Sequence, residues 1–223
     1  MPKIYLVPGM GADSRIYKNI DLEESDVTLV DWIIPKPNDT LATYAQKLIL
    51  QYDIKPGSIV IGNSLGGMLA MEMGKFMTLE KIILISSIRT IDEAPGYFSL
   101  FSVLPVYKLV PANWMTKIRF LIKLAFGKMS KDDLWLFRDM LKNTPPVFLK
   151  WSMGAVLHWD NKTIPPNVYQ VSGDKDAVFP YKKLKDAEII KGGTHIMIFD
   201  KAKQINKILK RILNVETTGN LLP

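Results

Sequence analysis

The chain has 223 residues, 48% hydrophobic and 23% charged, the balance of a globular protein with one sizeable core rather than a disordered chain. Its formal charge of +7 is mostly lysine and comes without zinc-finger spacing, RNA-binding aromatic motifs or a long basic run, so a solvated surface is expected and no nucleic acid partner. The absence of cysteine excludes disulfides, thiolate metal sites and a cysteine nucleophile.

The N-terminal stretch MPKIYLVPG has no charged leader followed by a cleavable apolar region, so a cytoplasmic protein is expected. Lys3–Val7 reads as a buried strand running into the glycine loop Pro8-Gly9-Met10-Gly11. Val27–Val30 is a second strand. Thr40 is placed to cap a helix over Leu41–Tyr52. Pro56-Gly57 turns the chain into a strand over Ser58–Gly62, Leu65–Met77 has the character of a helix, and Lys81–Ser86 is again a strand. Strands alternating with helices in this way imply a mostly parallel sheet covered by helices.

From about Ile88 to Trp159 the strand rhythm stops. Four helical segments are expected there, over Tyr97–Val110, Asn113–Phe126, Lys131–Lys142 and Val147–His158, with Asn113 and Ser130 as N-caps and Gly127 at a helix end. The longest apolar stretches, Tyr97–Val110 and Phe120–Phe126, are broken by Pro105, Lys108 and Lys123, and both are shorter than the roughly 20 residues of a membrane span. Strands resume at Asn167–Ser172 and Glu188–Ile190. An amphipathic helix over Ala202–Leu213 precedes a tail, Glu216–Pro223. The expected division is a discontinuous core of residues 1–88 and 160–215, an inserted helical cap of residues 89–159, and a tail of residues 216–223.

The sharpest chemical signal is Gly62-Asn63-Ser64-Leu65-Gly66 between a strand and a helix, the setting a G-x-S-x-G motif requires. A serine at so sharp a turn needs neighbours without side chains, and the helix N-terminus beside it supplies unpaired N–H groups. The alternative is a serine that merely caps the helix. A nucleophilic serine needs a base, and there are two histidines. His195 lies in the glycine-rich loop Lys191-Gly192-Gly193-Thr194-His195, after a strand. His158 sits among helix-forming apolar residues and reads as structural, or as the lining of a pocket. The base in turn needs a carboxylate, and the loop Ser172-Gly173-Asp174-Lys175-Asp176 offers two. The chain order serine, aspartate, histidine is that of α/β-hydrolases and differs from the chymotrypsin and subtilisin orders.

Over nearly its whole length the sequence therefore resembles the α/β-hydrolase superfamily. The resemblance selects Asp176, three residues after Gly173, with Asp174 as the alternative. It also implies that the backbone N–H groups of Met10 and Leu65 form an oxyanion hole. Pro8 stands where the family commonly has histidine, and the family's first hairpin is not seen, which implies a trimmed sheet of about six strands. The resemblance further implies a helical cap over Ser64, with Phe98, Phe101 and Trp114 as candidate substrate-binding residues in its apolar lining. The activity it implies is hydrolysis of an ester or thioester with an apolar acyl or aromatic group, without metal or organic cofactor, on a small-molecule substrate. The rivals are a lyase or carbon–carbon hydrolase on the same triad, and a ligand-binding receptor with little turnover.

Overall fold

The computed structural model describes residues 2–22, 25–98, 101 and 129–214. Six strands form one sheet in the order β2-β1-β3-β4-β5-β6: β1 (Ile4–Val7), β2 (Val27–Leu29), β3 (Ile59–Asn63), β4 (Lys81–Ile85), β5 (Val168–Gly173) and β6 (Glu188–Ile190). Every neighbouring pair is parallel, with Val7 opposite Gly62, Asn63 opposite Ile85 and Ile85 opposite Val171. The expected six-stranded, mostly parallel sheet is thus found, with all its described pairings parallel.

Parallel strands need crossovers, and helices on the two faces bury both sides of the central strands, which explains their unbroken apolar runs. One face is built from Tyr5, Val7, Val60, Ile82 and Leu84, packed with α1 (Leu41–Gln51), α2 (Leu65–Phe76) and α4 (Pro146–Leu157). The alternate residues Ile4, Leu6, Ile59, Ile61, Ile83 and Ile85 face the other way. They meet α3 (Lys131–Asn143), α5 (Met197–Asp200) and α6 (Ala202–Asn214). The two-residue period of the strands therefore divides the core into two layers.

Local chemistry sets the helix starts. The Thr40 side chain accepts from the Thr43 N–H while the Thr43 hydroxyl accepts from the Thr40 N–H, closing a reciprocal cap on α1. Ser130 caps α3 through the Asp133 N–H at 3.0 Å, as its position in the sequence anticipates. In α6 the buried residues Ala202, Ile205, Leu209 and Ile212 lie on one face, leaving the lysines outside.

Element bounds agree with the sequence reading to within one or two residues, with β3 displaced one residue toward the C-terminus. Four short elements were not anticipated: α5 and single 3₁₀ turns at Ser14–Tyr17, Ile91–Glu93 and Tyr181–Lys183. Between β4 and β5 the described residues contain no strand and include α3 and α4, in keeping with the break in rhythm. The expected helix over Asn113–Phe126, most of that over Tyr97–Val110, Gly127, Trp114 and the tail lie outside the described residues. Among the described residues, no helix is long and apolar enough to cross a membrane.

Candidate active site

The loops at the C-terminal edge of a parallel sheet are where α/β proteins assemble ligand sites. Here β1 leads to Met10, β3 to Ser64, β5 to Asp174 and Asp176, and β6 to His195.

Ser64 stands between β3 and α2 with φ +51° and ψ −116°, a backbone conformation that costs a non-glycine residue about 1–3 kcal/mol. Glycines make the turn possible. A Cβ on Gly62 would lie 2.3 Å from the backbone of Gly66, and one on Gly66 would lie 2.1 Å from the carbonyl oxygen of Val7. Three bonds strap the strained turn to the end of β4. The Ser64 N–H donates to the Ile85 carbonyl at 3.0 Å, and Asn63 Nδ2 donates to the same oxygen at 3.2 Å. The Ser87 hydroxyl donates to the Ser64 carbonyl at 2.6 Å.

A serine ahead of a helix is expected to cap it, but the Ser64 side chain makes no capping bond. Its Oγ lies instead 2.9 Å from Nε2 of His195. On the far side of the ring, Nδ1 is 2.9 Å from Oδ2 and 3.1 Å from Oδ1 of Asp176. With the neutral-imidazole proton on Nδ1, the serine hydroxyl donates to Nε2 and the ring donates to the carboxylate. Asp176 Oδ1 also accepts the N–H groups of Val178 (2.8 Å) and Phe179 (2.9 Å), so the acid is anchored by its own loop. Asp176 and His195 are buried, and the Phe179 ring meets the imidazole edge-on at 5.4 Å.

Asp174 has a different task. Its Oδ1 accepts the Gly192 N–H at 2.6 Å, tying the β5 loop to the loop that carries His195. Close packing does the same: a Cβ on Gly173 would come within 2.0 Å of the Gly193 carbonyl oxygen. The other histidine, His158, is exposed, with Nδ1 2.8 Å from the Gly154 carbonyl oxygen. It lines a crevice of about 970 Å³ with Trp151, Trp159 and Glu72, among whose walls Ser64, Asp176 and His195 do not appear.

The loop after β1 brings Gly9, the residue before Met10, against the serine. A Cβ on Gly9 would lie 3.3 Å from Ser64 Cβ, so the loop backbone runs beside the hydroxyl-bearing carbon. The Ala12 N–H donates to the Gly9 carbonyl at 3.1 Å, and Gly11 takes φ +74°, the left-handed value that a type II turn requires at its third position. Met10 occupies the second position of that turn. Among the described residues, the N–H groups of Met10 and of Leu65, the first residue of α2, have no hydrogen-bond acceptor, as unpaired donors in this position would.

Phe98 is buried and stands 6.0 Å from the Phe179 ring, which links it to the imidazole through one intervening aromatic group. Phe101 is exposed and packs on Tyr97 at 6.2 Å, one ring further out. Three residues that the sequence reading did not single out, Tyr17, Trp32 and Tyr97, bond to the loops of the site. Their signal is tertiary: each is an aromatic residue whose polar tip finds a backbone carbonyl distant in sequence or across a turn. Among the described residues, no group of three or more His, Asp or Glu side chains is placed to hold a metal ion.

A parallel sheet with a strained serine turn after its third strand and an acid–histidine pair from the last two strand loops defines the α/β-hydrolase class. The sequence agrees: residues 4–208 match the alpha/beta hydrolase family, and the chain belongs to that family. No curated protein matches it in sequence. Among solved structures it is similar to a hydrolase from Pseudomonas aeruginosa PA01, with TM-score 0.76, 15% identity and coverage of 96% of this chain and 90% of that one. It is also similar to a thermophilic esterase from Thermogutta terrifontis (TM-score 0.72, 14% identity, 96% and 89% covered). An esterase from Exiguobacterium antarcticum gives TM-score 0.71 at 14% identity, with 96% and 92% covered. At these identities the likeness is one of fold.

Proposed function

We propose that this chain is a serine hydrolase that cleaves an ester or thioester of a small, apolar acyl or aromatic substrate. The observation that carries this reading is the unbroken relay from Ser64 Oγ through His195 to Asp176, at 2.9 Å on each side of the imidazole. A serine hydroxyl alone is a weak nucleophile, and it becomes effective when an adjacent base takes its proton as the new bond forms.

In this reading His195 Nε2 accepts the Ser64 proton while Oγ attacks the acyl carbon. Asp176 holds the proton on Nδ1 and stabilises the imidazolium without itself being protonated. The oxyanion accepts from the N–H groups of Met10 and Leu65. Collapse of the tetrahedral intermediate sends the Nε2 proton to the leaving oxygen or sulfur and leaves an acyl group on Ser64. Water then attacks the acyl-enzyme with His195 as base, releasing the acid and restoring the serine. The backbone donors need no particular side chain at position 10, so methionine there is compatible with the role. Residues 89–159 serve as a cap that supplies the apolar walls of the acyl site. Phe98, buried beside Phe179, is the described residue best placed for that part.

The test is hydrolysis of an activated short-chain ester together with labelling by a fluorophosphonate. The label is expected on Ser64 alone. Ser64→Ala is expected to lower kcat by about a million-fold with the fold intact, the scale seen when a serine triad loses its nucleophile. Stoichiometric binding of ester analogues without turnover would instead favour a receptor, and ester hydrolysis unchanged in Ser64→Ala would overturn the mechanism.

A further inference from the structure

Two backbone N–H groups can share one oxyanion only if the loops that carry them are held at a fixed separation. Met10 lies three residues beyond the end of β1, and Leu65 two residues beyond the end of β3. These strands are neighbours, with Val7 opposite Gly62, so the separation is decided where their C-terminal ends meet. The hydroxyl of Tyr17 sits at that junction. It donates to the Val7 carbonyl at 2.6 Å and lies 3.2 Å from the Ile61 carbonyl, one acceptor on each strand.

The placement follows from the chain. The loop that leaves β1 at Val7 turns through Gly9–Ala12, enters the 3₁₀ turn Ser14–Tyr17 and returns its last residue to Val7. Tyr17 therefore closes the loop that carries Met10 while reaching across to the strand that carries Ser64. Its ring is buried in the layer formed by Ile4, Leu6, Ile59 and Ile61. Burial also pushes the phenol far above its ordinary pKa, so it remains a donor throughout the working range of the protein. On the other side of the loop, Trp32 Nε1 donates to the Ala12 carbonyl at 2.7 Å. A phenylalanine would fill the same apolar space. What the hydroxyl adds is the bond between strands.

We infer that Tyr17 is a positioning residue for the oxyanion hole, setting the distance between the Met10 and Leu65 N–H groups by bridging the ends of β1 and β3. The inference rests on the reading of Ser64 as the nucleophile. Tyr17 touches no substrate atom and acts through the backbone it joins. Its loss should therefore weaken the hold on the tetrahedral oxyanion more than the hold on the ground-state ester.

The test compares wild type with Tyr17→Phe, using kcat and KM for an activated ester and Kd for an alkyl trifluoromethyl ketone, whose adduct with serine carries an oxyanion. Removing a whole oxyanion donor costs about a hundredfold to a thousandfold in kcat, and displacing two donors should cost less, about tenfold. The ketone is expected to weaken by a similar factor, with KM and the pH midpoint of kcat unchanged because His195 and Asp176 are untouched. Ser25→Ala is the control: it removes a hydroxyl bonded to the Leu22 carbonyl before β2, at the N-terminal edge of the sheet opposite the loop, and is expected to change neither number. Should Tyr17→Phe not fold, Trp32→Phe loosens the same loop at Ala12 and is expected to give the same split. A variant that is less stable yet equals wild type in kcat and ketone affinity overturns the inference and leaves Ser64 as nucleophile. Wild type that neither hydrolyses the ester nor takes up the ketone overturns the reading of Ser64, and the inference with it.

Discussion

The phenol of Tyr97 donates to the backbone carbonyl of Val178 at 2.7 Å, and the Val178 N–H in turn donates to Asp176. The bond does not stand alone. Lys183 Nζ donates to the Ala94 carbonyl and an Arg89 guanidinium nitrogen donates to the Lys185 carbonyl, each at 2.5 Å. The segment that follows β4 is thus stitched to the loop that holds Asp176, with Tyr97 nearest to that residue. Tyr97→Phe removes the hydroxyl and keeps the ring that packs on Phe98. A neutral hydrogen bond contributes about 0.5–1.5 kcal/mol, so kcat is expected to fall by about twofold to tenfold as the acid loop loosens. Steady-state kinetics would check it; an unchanged kcat would mean that the segment after β4 is tied to the Asp176 loop without influencing it.

Phenols whose pKa values the folded protein raises also give the fold an alkaline limit. Partial desolvation pushes the phenol of the otherwise exposed Tyr97 up to about 12, with the negative charge of Asp176 as the second cause. Burial likewise raises Tyr44 and Tyr17. In the unfolded chain these groups ionise near 10, so above that pH unfolding releases protons that the folded protein retains. The stability they contribute is complete below about pH 10 and is lost as pH climbs toward the folded values. Urea titrations between about pH 8 and 11 are expected to show a declining unfolding free energy, less steeply in Tyr44→Phe once its own lower baseline is subtracted. A flat profile would show that these phenols ionise alike in both states.

The two aspartates of the β5 loop are separable by mutation. Asp176→Asn keeps the shape but offers the imidazole an amide that favours the wrong tautomer, and kcat is expected to fall by about ten-thousand-fold without loss of fold. Asp174→Asn disturbs only the bond from the Gly192 N–H, so a small loss of stability and a change in kcat within a few-fold are expected. Kinetics and thermal unfolding on the two purified variants decide it. The reverse pattern would move the acid to Asp174.

Much of this architecture is legible in the residues because it depends on local patterns. Ile4, Leu6, Ile59, Ile61, Ile83 and Ile85 alternate with the residues of the opposite face, and the G-x-S-x-G spacing announces a turn that side chains at 62 and 66 would block. The choice between Asp174 and Asp176 was open to a reading by spacing, since both are turn residues two positions apart. It is separated in space, where one carboxylate faces His195 and the other faces Gly192. The four-residue α5 was missed because so short a helix has no periodicity to detect; it follows His195 directly and buries Met197, Ile198 and Phe199. The bonds of Tyr17 and Trp32 to the β1 loop were invisible for another reason. A buried aromatic residue reads as core, and nothing in its neighbours names the carbonyl that its polar tip will find.

The last prediction concerns how the acyl group is chosen. In the proposed arrangement residues 89–159 cover Ser64, and Phe98 stands one ring away from the imidazole, with Phe101 further out on Tyr97. Trp114 belongs to the same apolar set by its place in the sequence. Each methylene buried in an apolar pocket adds about 0.8 kcal/mol, nearly fourfold in affinity, until the pocket is full. kcat/KM for a series of straight-chain acyl esters is therefore expected to climb with chain length to a maximum and then fall. Phe98→Ala, which opens space beside Phe179, should move that maximum toward longer acyl groups. Phe101→Ala should move it less, because Phe101 is exposed and lies a ring further from His195. Trp114→Ala completes the series. Circular dichroism and thermal unfolding establish that each variant is folded before its profile is compared. A maximum that stays at the same acyl length in all three folded variants would sink the cap as the selector of acyl length. The pocket would then be sought in the core's own loops, beginning with Met10 in the turn after β1.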